Sequence, residues 1–202
     1  MKSAEYTIQE YMDAFSGSSP VPGGGGASAV TGAMAASAAL MVCALTSGKK
    51  KFAAIEPELA GMKAELEDAK GRLLRLADKD AEVFEPIAAA YHGTQYSESE
   101  MNALYCAAAG VPLEVMRISC GLLKHIRFLA ENGSALAVSD AGDAAAFARA
   151  AISGALLNVC INTKYMSDRE EAAGIRTEAD KMFAEGVREA DAIFAEVQRR
   201  IG

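Results

Sequence analysis

The 202-residue chain has no tryptophan, only two histidines, and four cysteines without a single CxxC pair. So few imidazoles, with thiols at Cys43, Cys106, Cys120 and Cys160 scattered through apolar surroundings, make poor material for a zinc site or a disulfide framework. No metal site is expected, and the cysteines read as buried free thiols of a reducing compartment. An excess of basic charge is also missing. Lys and Arg number 20 against 27 Asp and Glu, for a net charge of −7, and the pI is near 5.0. That balance excludes a general nucleic-acid binder, because the one basic cluster, Lys49 to Lys51, is short and has no interleaved aromatics beyond Phe52. The first fifteen residues, MKSAEYTIQEYMDAF, carry acids where a signal peptide would have an apolar core. No segment alternates apolar and polar residues over a strand's length, and no internal repeat is visible.

A further absence organises the chain. Between Asp13 and Lys49 there is no charged side chain. Two prolines, Pro20 and Pro22, lead into four glycines, Gly23 to Gly26. A run of small and aliphatic residues then extends from Ala27 to about Thr46, and Gly48 with Lys49 to Lys51 closes it. A helix apolar on every side is buried at the centre of a protein or lies in a membrane. Ala27 to Thr46 is long enough to span, but its Ala, Gly, Ser and Thr content favours a buried helix over a membrane span. The glycine run is either a cradle of converging N–H groups, which favours an anion, or a flexible connector. The GKKK end is either a second anion-binding feature or a glycine-stopped helix terminus with solvated lysines.

Around this segment the periodicity is helical throughout. Ser3 to Phe15 reads as a short amphipathic helix. From Glu58 to about Tyr91, the positions Leu59, Met62, Leu66, Ala69, Leu73, Leu76, Asp80, Val83 and Ile87 form a heptad-like stripe that faces other helices. Asp80 is its one charged member. Either its carboxylate points inward, where it needs a partner or a raised pKa, or a slight helix rotation near Pro86 leaves it solvated. Further helices are expected over Glu100 to Glu131, from a cap at Ser139 or Asp140 to about Lys164, and after a Ser167–Glu170 capping box. Asn158 and Asn162 lie four apart and share a face; they point at one target or are core amides paired to backbone. The expected fold is all-α: one domain over 1–202, a bundle of long, mainly antiparallel helices around the buried small-residue helix.

PVPGGGGASAVTGAMAASAALMVCALTSGKKKF resembles the signature of the formimidoyltetrahydrofolate cyclodeaminase and methenyltetrahydrofolate cyclohydrolase family. LLRLADKDAEVFEPIAAAY, GVPLEVMRISCGLL and SDAGDAAAFARAAISGALLNVCIN are similar to that family's further segments, in family order, and together they cover Ser18 to about Asn162. The chain departs from the pattern at Gly26, where the family has a serine. It departs again at His92-Gly93-Thr94-Gln95, in place of a leucine–proline–lysine stretch. The resemblance implies an all-helical, usually homodimeric, cofactor-free enzyme acting on a one-carbon tetrahydrofolate, and the free thiols lead us to expect it in the cytoplasm. Its reaction would be hydrolysis of 5,10-methenyltetrahydrofolate to 10-formyltetrahydrofolate, or release of ammonia from the formimidoyl derivative. A folate-binding or oligomer-forming scaffold without catalysis is the third alternative. On this resemblance the catalytic residues would be Asp80, Lys49 and Asp140. Gly23, Gly24, Gly25, Gly26, Lys50, Asn158 and Asn162 would bind substrate, with no nucleic acid and no membrane as partner.

Overall fold

The computed structural model describes residues 2–202. Six α-helices account for most of them: α1 (Ile8–Phe15), α2 (Gly24–Thr46), α3 (Glu56–Tyr91), α4 (Glu98–Asn132), α5 (Val138–Tyr165) and α6 (Arg169–Ile201). Short 3-10 turns at Ser3–Glu5, Lys50–Ile55 and Ala135–Ala137 join them, and no strand occurs among the described residues.

Contacts along the helices set their directions. Gly26 lies against Ala77, Gly32 against Leu73, and Gly48 N–H donates to Glu56, so α2 and α3 run antiparallel. Gly24 meets Asn158 while Ser134, just before α5, donates to Thr46, so α2 and α5 are antiparallel as well. Pairs Gly142–Val197 and Gly186–Ile152 make α5 and α6 antiparallel. By contrast, α4 runs parallel to α2, as Gly32–Ser119 and Val42–Gly133 record. The outer faces of α3, α4 and α6 are tied by ion pairs such as Arg72–Glu114, Arg117–Glu178 and Arg127–Glu189.

The core follows from the sequence pattern. Leu59, Leu66 and Leu73 of the α3 stripe are fully buried, with Met116, Leu122, Ile126 and Leu129 of α4 opposite. Helices α2 and α5 contribute mainly alanines: Ala29, Ala35, Ala36 and Ala39 in one, Ala144, Ala148, Ala151 and Ala155 in the other, all fully buried. Two low-relief faces let backbones approach closely, and at the tightest crossing a Cβ on Gly154 would stand 2.4 Å from Ser28 Oγ. The hydroxyls of Ser28, Thr31, Ser37 and Thr46 donate to carbonyls four residues back, so α2 shows its neighbours an apolar exterior.

Several boundaries differ from the sequence reading. The first helix is split, with Thr7 capping α1 through Glu10. Pro86 and Pro112 lie inside α3 and α4 without ending them. Helix α5 begins at Val138, so neither Ser139 nor Asp140 is its cap. Asp168 caps α6 by accepting from Glu170 and Glu171 N–H, and so takes the free N–H groups that Ser167 was expected to serve. Three stretches are long and apolar enough to cross a bilayer, Gly24–Thr46, Glu98–Asn132 and Ala135–Tyr165, where only the first was expected. Here 50%, 61% and 39% of their most apolar stretches is buried inside the chain.

α2 is not covered all round. Helices α3, α4 and α5 bury one side, while Met34, Met41 and Leu45 stand 49%, 51% and 38% exposed. Leu66→Ala, which empties space at the α2–α3–α4 junction, should lower the unfolding free energy by about 2–5 kcal/mol, as read from urea denaturation.

Candidate active site

The four glycines are the start of α2. Gly23 is its N-cap in extended conformation, and Gly24, Gly25 and Gly26 form the first turn. A helix start leaves several backbone N–H groups without intrahelical partners. Asp80 takes one of them: its Oδ2 accepts from Gly26 N–H at 2.8 Å. The carboxylate lies so close to the turn that a Cβ on Gly25 would come within 2.1 Å of Asp80 Oδ1. Only glycine fits there, which ties the glycine run to the one charged residue of the α3 stripe. On the other flank a Cβ on Gly24 would meet Asn158 Nδ2 at 3.3 Å.

Burial pushes the Asp80 carboxyl above the ordinary aspartate range, and the Gly26 N–H bond pulls partly against it. The result is a carboxylate that is a stronger base than a solvated one and that is held in a fixed direction. A helix N-terminus beside it supplies partial positive charge and, at Gly24 and Gly25, further N–H groups.

Sequence reasoning missed a third member of this end. Tyr11 of α1 is 6% exposed, and its hydroxyl has no hydrogen-bond partner. Burial raises its pKa, and the charges of Asp80 and Asp78 raise it further. Tyr11 lines a cavity of about 660 Å³ with Tyr6, Pro20, Pro22, Ala77 and Asp78. The Val21–Pro22 bond in its wall is cis. In the sequence Tyr11 is one of several apolar positions of a short amphipathic helix, so nothing marked its hydroxyl. Asp78 accepts from Ser3 N–H at 2.5 Å and holds the N-terminal segment over this cavity.

The other expected site residues are distributed differently. Asn162 donates to Ala108 O at 2.9 Å, joining α5 to α4, while Asn158 donates to Gly154 O and borders the glycine turn. The two amides therefore serve different purposes. Lys49, Lys50 and Asp140 are not with Asp80 at all. Both lysines follow the C-terminus of α2, about 33 Å from its start at 1.5 Å per residue. Lys49 Nζ donates to Leu45 O there. Asp140 sits in the first turn of α5, at that same far end. Within one chain the expected constellation is thus split between the two ends of α2.

Of the two departures from the family pattern, Gly26 adjoins the site and His92–Gln95 does not. A Cβ at Gly26 would be 3.3 Å from Ala77 O and 3.7 Å from Asp80 Oδ2. His92 caps the exposed end of α3, and Gly93 takes a positive φ of 101° there. Among the described residues no three His, Cys, Asp or Glu side chains group as metal ligands.

In this all-helical bundle a carboxylate docked on a glycine-built helix start is an arrangement able to take and give a proton beside unpaired backbone N–H groups. Residues 7–181 match the formiminotransferase-cyclodeaminase family model, and the chain belongs to that family. It is 33% identical to the methenyltetrahydrofolate cyclohydrolase of Methylorubrum extorquens, over 96% of this chain and 97% of that one. It is 29% identical to the rat formimidoyltransferase-cyclodeaminase over 74% of this chain but only 29% of that longer protein. The crystal structure of formiminotetrahydrofolate cyclodeaminase from Thermotoga maritima superposes with a TM-score of 0.85 at 31% identity, covering 98% of this chain and 96% of that one.

Two stability measurements test the electrostatics of this end. The folded chain holds the Asp80 proton more tightly than the unfolded chain does. Stability attributable to Asp80 therefore falls as pH rises from the unfolded value through the folded one, and the cost persists at neutral pH. Asp80→Asn should raise the thermal midpoint at pH 7, with the gain vanishing below the unfolded aspartate pKa. Tyr11→Phe should leave the midpoint unchanged or raised, because an unpartnered buried hydroxyl costs about 1–3 kcal/mol. The same substitution should raise KM, the readout of a hydroxyl kept for a ligand.

Proposed function

We propose that this chain is a cytoplasmic one-carbon tetrahydrofolate enzyme that hydrolyses 5,10-methenyltetrahydrofolate to 10-formyltetrahydrofolate, without a cofactor and as a homodimer. The observation that carries this reading is Asp80 fixed on the Gly25–Gly26 turn with its carboxyl basicity raised by burial. It is supported by 33% identity to a methenyltetrahydrofolate cyclohydrolase along nearly the whole of both chains.

The substrate carbon lies between N5 and N10 in a cationic amidinium. A carboxylate beside it stabilises the cation and accepts a proton from water as the water oxygen bonds to that carbon. The resulting carbinol collapses with cleavage of its bond to N5. Asp80 returns its proton to N5, the carbinol oxygen loses its own proton to solvent, and the formyl group stays on N10. These steps need one group that both takes and gives a proton, which a carboxyl with raised pKa does better than a solvated one. The acids Glu5, Asp78, Glu82 and Glu85 around the adjoining cavity favour a cationic substrate, and Asn158, which borders the glycine turn, would orient a polar edge of the pterin.

A second reading rests on the Thermotoga maritima neighbour, whose chain is called a formiminotetrahydrofolate cyclodeaminase. The same carboxyl would take the N10 proton as N10 attacks the formimino carbon and would hand it to departing ammonia. Ultraviolet absorbance of methenyltetrahydrofolate separates the two. Signal loss faster than the spontaneous rate is expected for the hydrolase, whereas signal growth from the formimidoyl derivative with ammonia release would replace it with the second reading. Asp80→Asn should lower kcat/KM by roughly 10²- to 10⁴-fold. The acid limb of the wild-type profile should lie above the titration of a solvated aspartate, since burial raises this carboxyl.

A further inference from the structure

The glycine turn has two flanks, and they carry opposite charge. On the Asp80 side, the cavity beside Tyr11 is lined by Glu5, Asp78, Glu82 and Glu85 against Lys2. On the Asn158 side, α5 runs on past the start of α2, since Asn158 meets Gly24 and the helix continues to Tyr165. Leu157, Ile161 and Lys164 follow one another there at four- and three-residue spacing, so they share a face. With Cys160 and with Arg169 and Arg176 of α6 they line a second cavity, of about 540 Å³. That volume suits a small molecule.

This cavity has an apolar floor and a cationic rim. Leu157 and Ile161 are 69% and 46% exposed, a surface left uncovered next to the site. Lys164 Nζ lies 5.6 Å from the centroid of the Tyr165 ring, which stacks on Tyr105 at 5.4 Å. A cation–π contact of this kind holds the ammonium at the rim. Arg169 is fixed by its Nη1, which donates to the carbonyls of Thr163, Lys164 and Met166 at the end of α5. Among the described residues its Nε and Nη2 have no acceptor, so both remain for a ligand.

Nearby acids do not cancel this charge. Asp180 pairs with Arg176 at 3.1 Å. Asp168 accepts from Glu170 and Glu171 N–H, and the Glu171 carboxylate turns to Asn102 and Cys106 of α4. Glu170 follows Arg169 by one residue and so projects about 100° around the helix from it. Among the described residues Lys164 and Arg169 enter no ion pair. Two uncompensated cations therefore stand over apolar surface, which is the chemistry of a site for an aromatic body ending in carboxylates.

Resting on the folate reading above, we propose that the α5–α6 cavity is the subsite for the p-aminobenzoylglutamate half of the substrate. The benzoyl ring lies on Leu157 and Ile161, and the glutamate carboxylates meet Lys164 and Arg169. A one-carbon tetrahydrofolate has its amidinium at the pterin end and its carboxylates at the other, so its charges match the two flanks in order. From Asn158 to Lys164 the helix rises about 9 Å, and one extended molecule reaches both. The subsite also places at the Asp80 end the cations that Lys49 and Lys50 do not bring there.

Two readouts test it. Cys160 lines the cavity, so p-aminobenzoylglutamate alone should slow its alkylation by iodoacetamide, followed by mass spectrometry, while Cys43, Cys106 and Cys120 label as before. Ile161→Cys puts a more exposed thiol on the same floor and should be protected likewise. The second readout is a truncated substrate. Lys164→Glu should raise KM for 5,10-methenyltetrahydrofolate about ten-fold or more with kcat nearly kept, because the lost bond to a carboxylate serves ground and transition states alike. On 5,10-methenyltetrahydropteroate, which has no glutamate, this variant should match the wild type, and Lys164→Arg should keep the wild-type KM on both. An equal effect of Lys164→Glu on the two substrates, or thiols that p-aminobenzoylglutamate leaves unprotected, overturns the subsite; an active wild type then leaves the folate reading standing. A wild type inactive on the methenyl and formimidoyl derivatives overturns that reading instead. Thiol protection then decides the cavity by itself: protection retains an aromatic-carboxylate site, and its absence removes that too.

Discussion

One close approach governs the rest of the site: an aspartate on α3 pressed against the first turn of α2. The room for it exists because Gly25 has no side chain, the neighbouring Ala77 is small, and Gly26 offers its N–H. Burying a carboxylate is costly unless it is hydrogen-bonded, and a helix start is one of few places where backbone donors come unpaired. The arrangement solves both problems at once. Asp80 keeps its direction, the helix start gains an acceptor, and the carboxyl retains more basicity than a solvated one because burial outweighs the single hydrogen bond.

That contact depends in turn on an unusual use of small residues. A bundle held by large aliphatic side chains keeps its helices about 8–10 Å apart. Here α2 and α5 meet through alanine, glycine and serine, so Asn158 reaches the glycine turn from one side as Asp80 reaches it from the other. Bulk is concentrated in α3 and α4, where Leu66, Leu73, Met116 and Ile126 fill the interior, with Ile152 of α5 and Ile193 of α6 added to it. The division of labour is physical. Two helices provide close approach and precise placement, and the others provide most of the apolar burial that stabilises the chain.

Much of this was legible in residue order, for identifiable reasons. The helical class followed from three- and four-residue spacing in α3 and α6, and Asp80 stood out because a charge in an aliphatic stripe needs a cause. Its link to the glycines was not legible, since nothing local to either segment records a contact across 54 positions. Tyr11 was invisible because an apolar position in an amphipathic helix explains a tyrosine ring without reference to its hydroxyl. Asn158 and Asn162 looked equivalent by spacing, yet a neighbouring carbonyl, Ala108 O, claims only one of them. Capping residues were misplaced by two or three positions at α5, whose N-cap Ala137 brings no capping side chain, and by one at α6, where Asp168 lies beside the expected Ser167.

The reading of α2 as apolar on every side carried an assumption about what an uncharged surface is for. Such a helix is expected to be wholly buried or to lie in lipid, and α2 has the length and hydropathy for either. The fold offers a third outcome, because three neighbours cover one side and leave a stripe from Ala27 to Leu45 open. Sequence alone cannot separate an apolar face that meets its own chain from one that meets another, since both demand the absence of charge. The ends of the helix can. A core helix has no need of opposite charge at its two termini, and a membrane span has no need of a glycine turn fitted to an aspartate. The uncharged interval between Asp13 and Lys49 thus has an inner side, packed by three helices and fitted at its glycine turn to Asp80, and an outer stripe that they leave open.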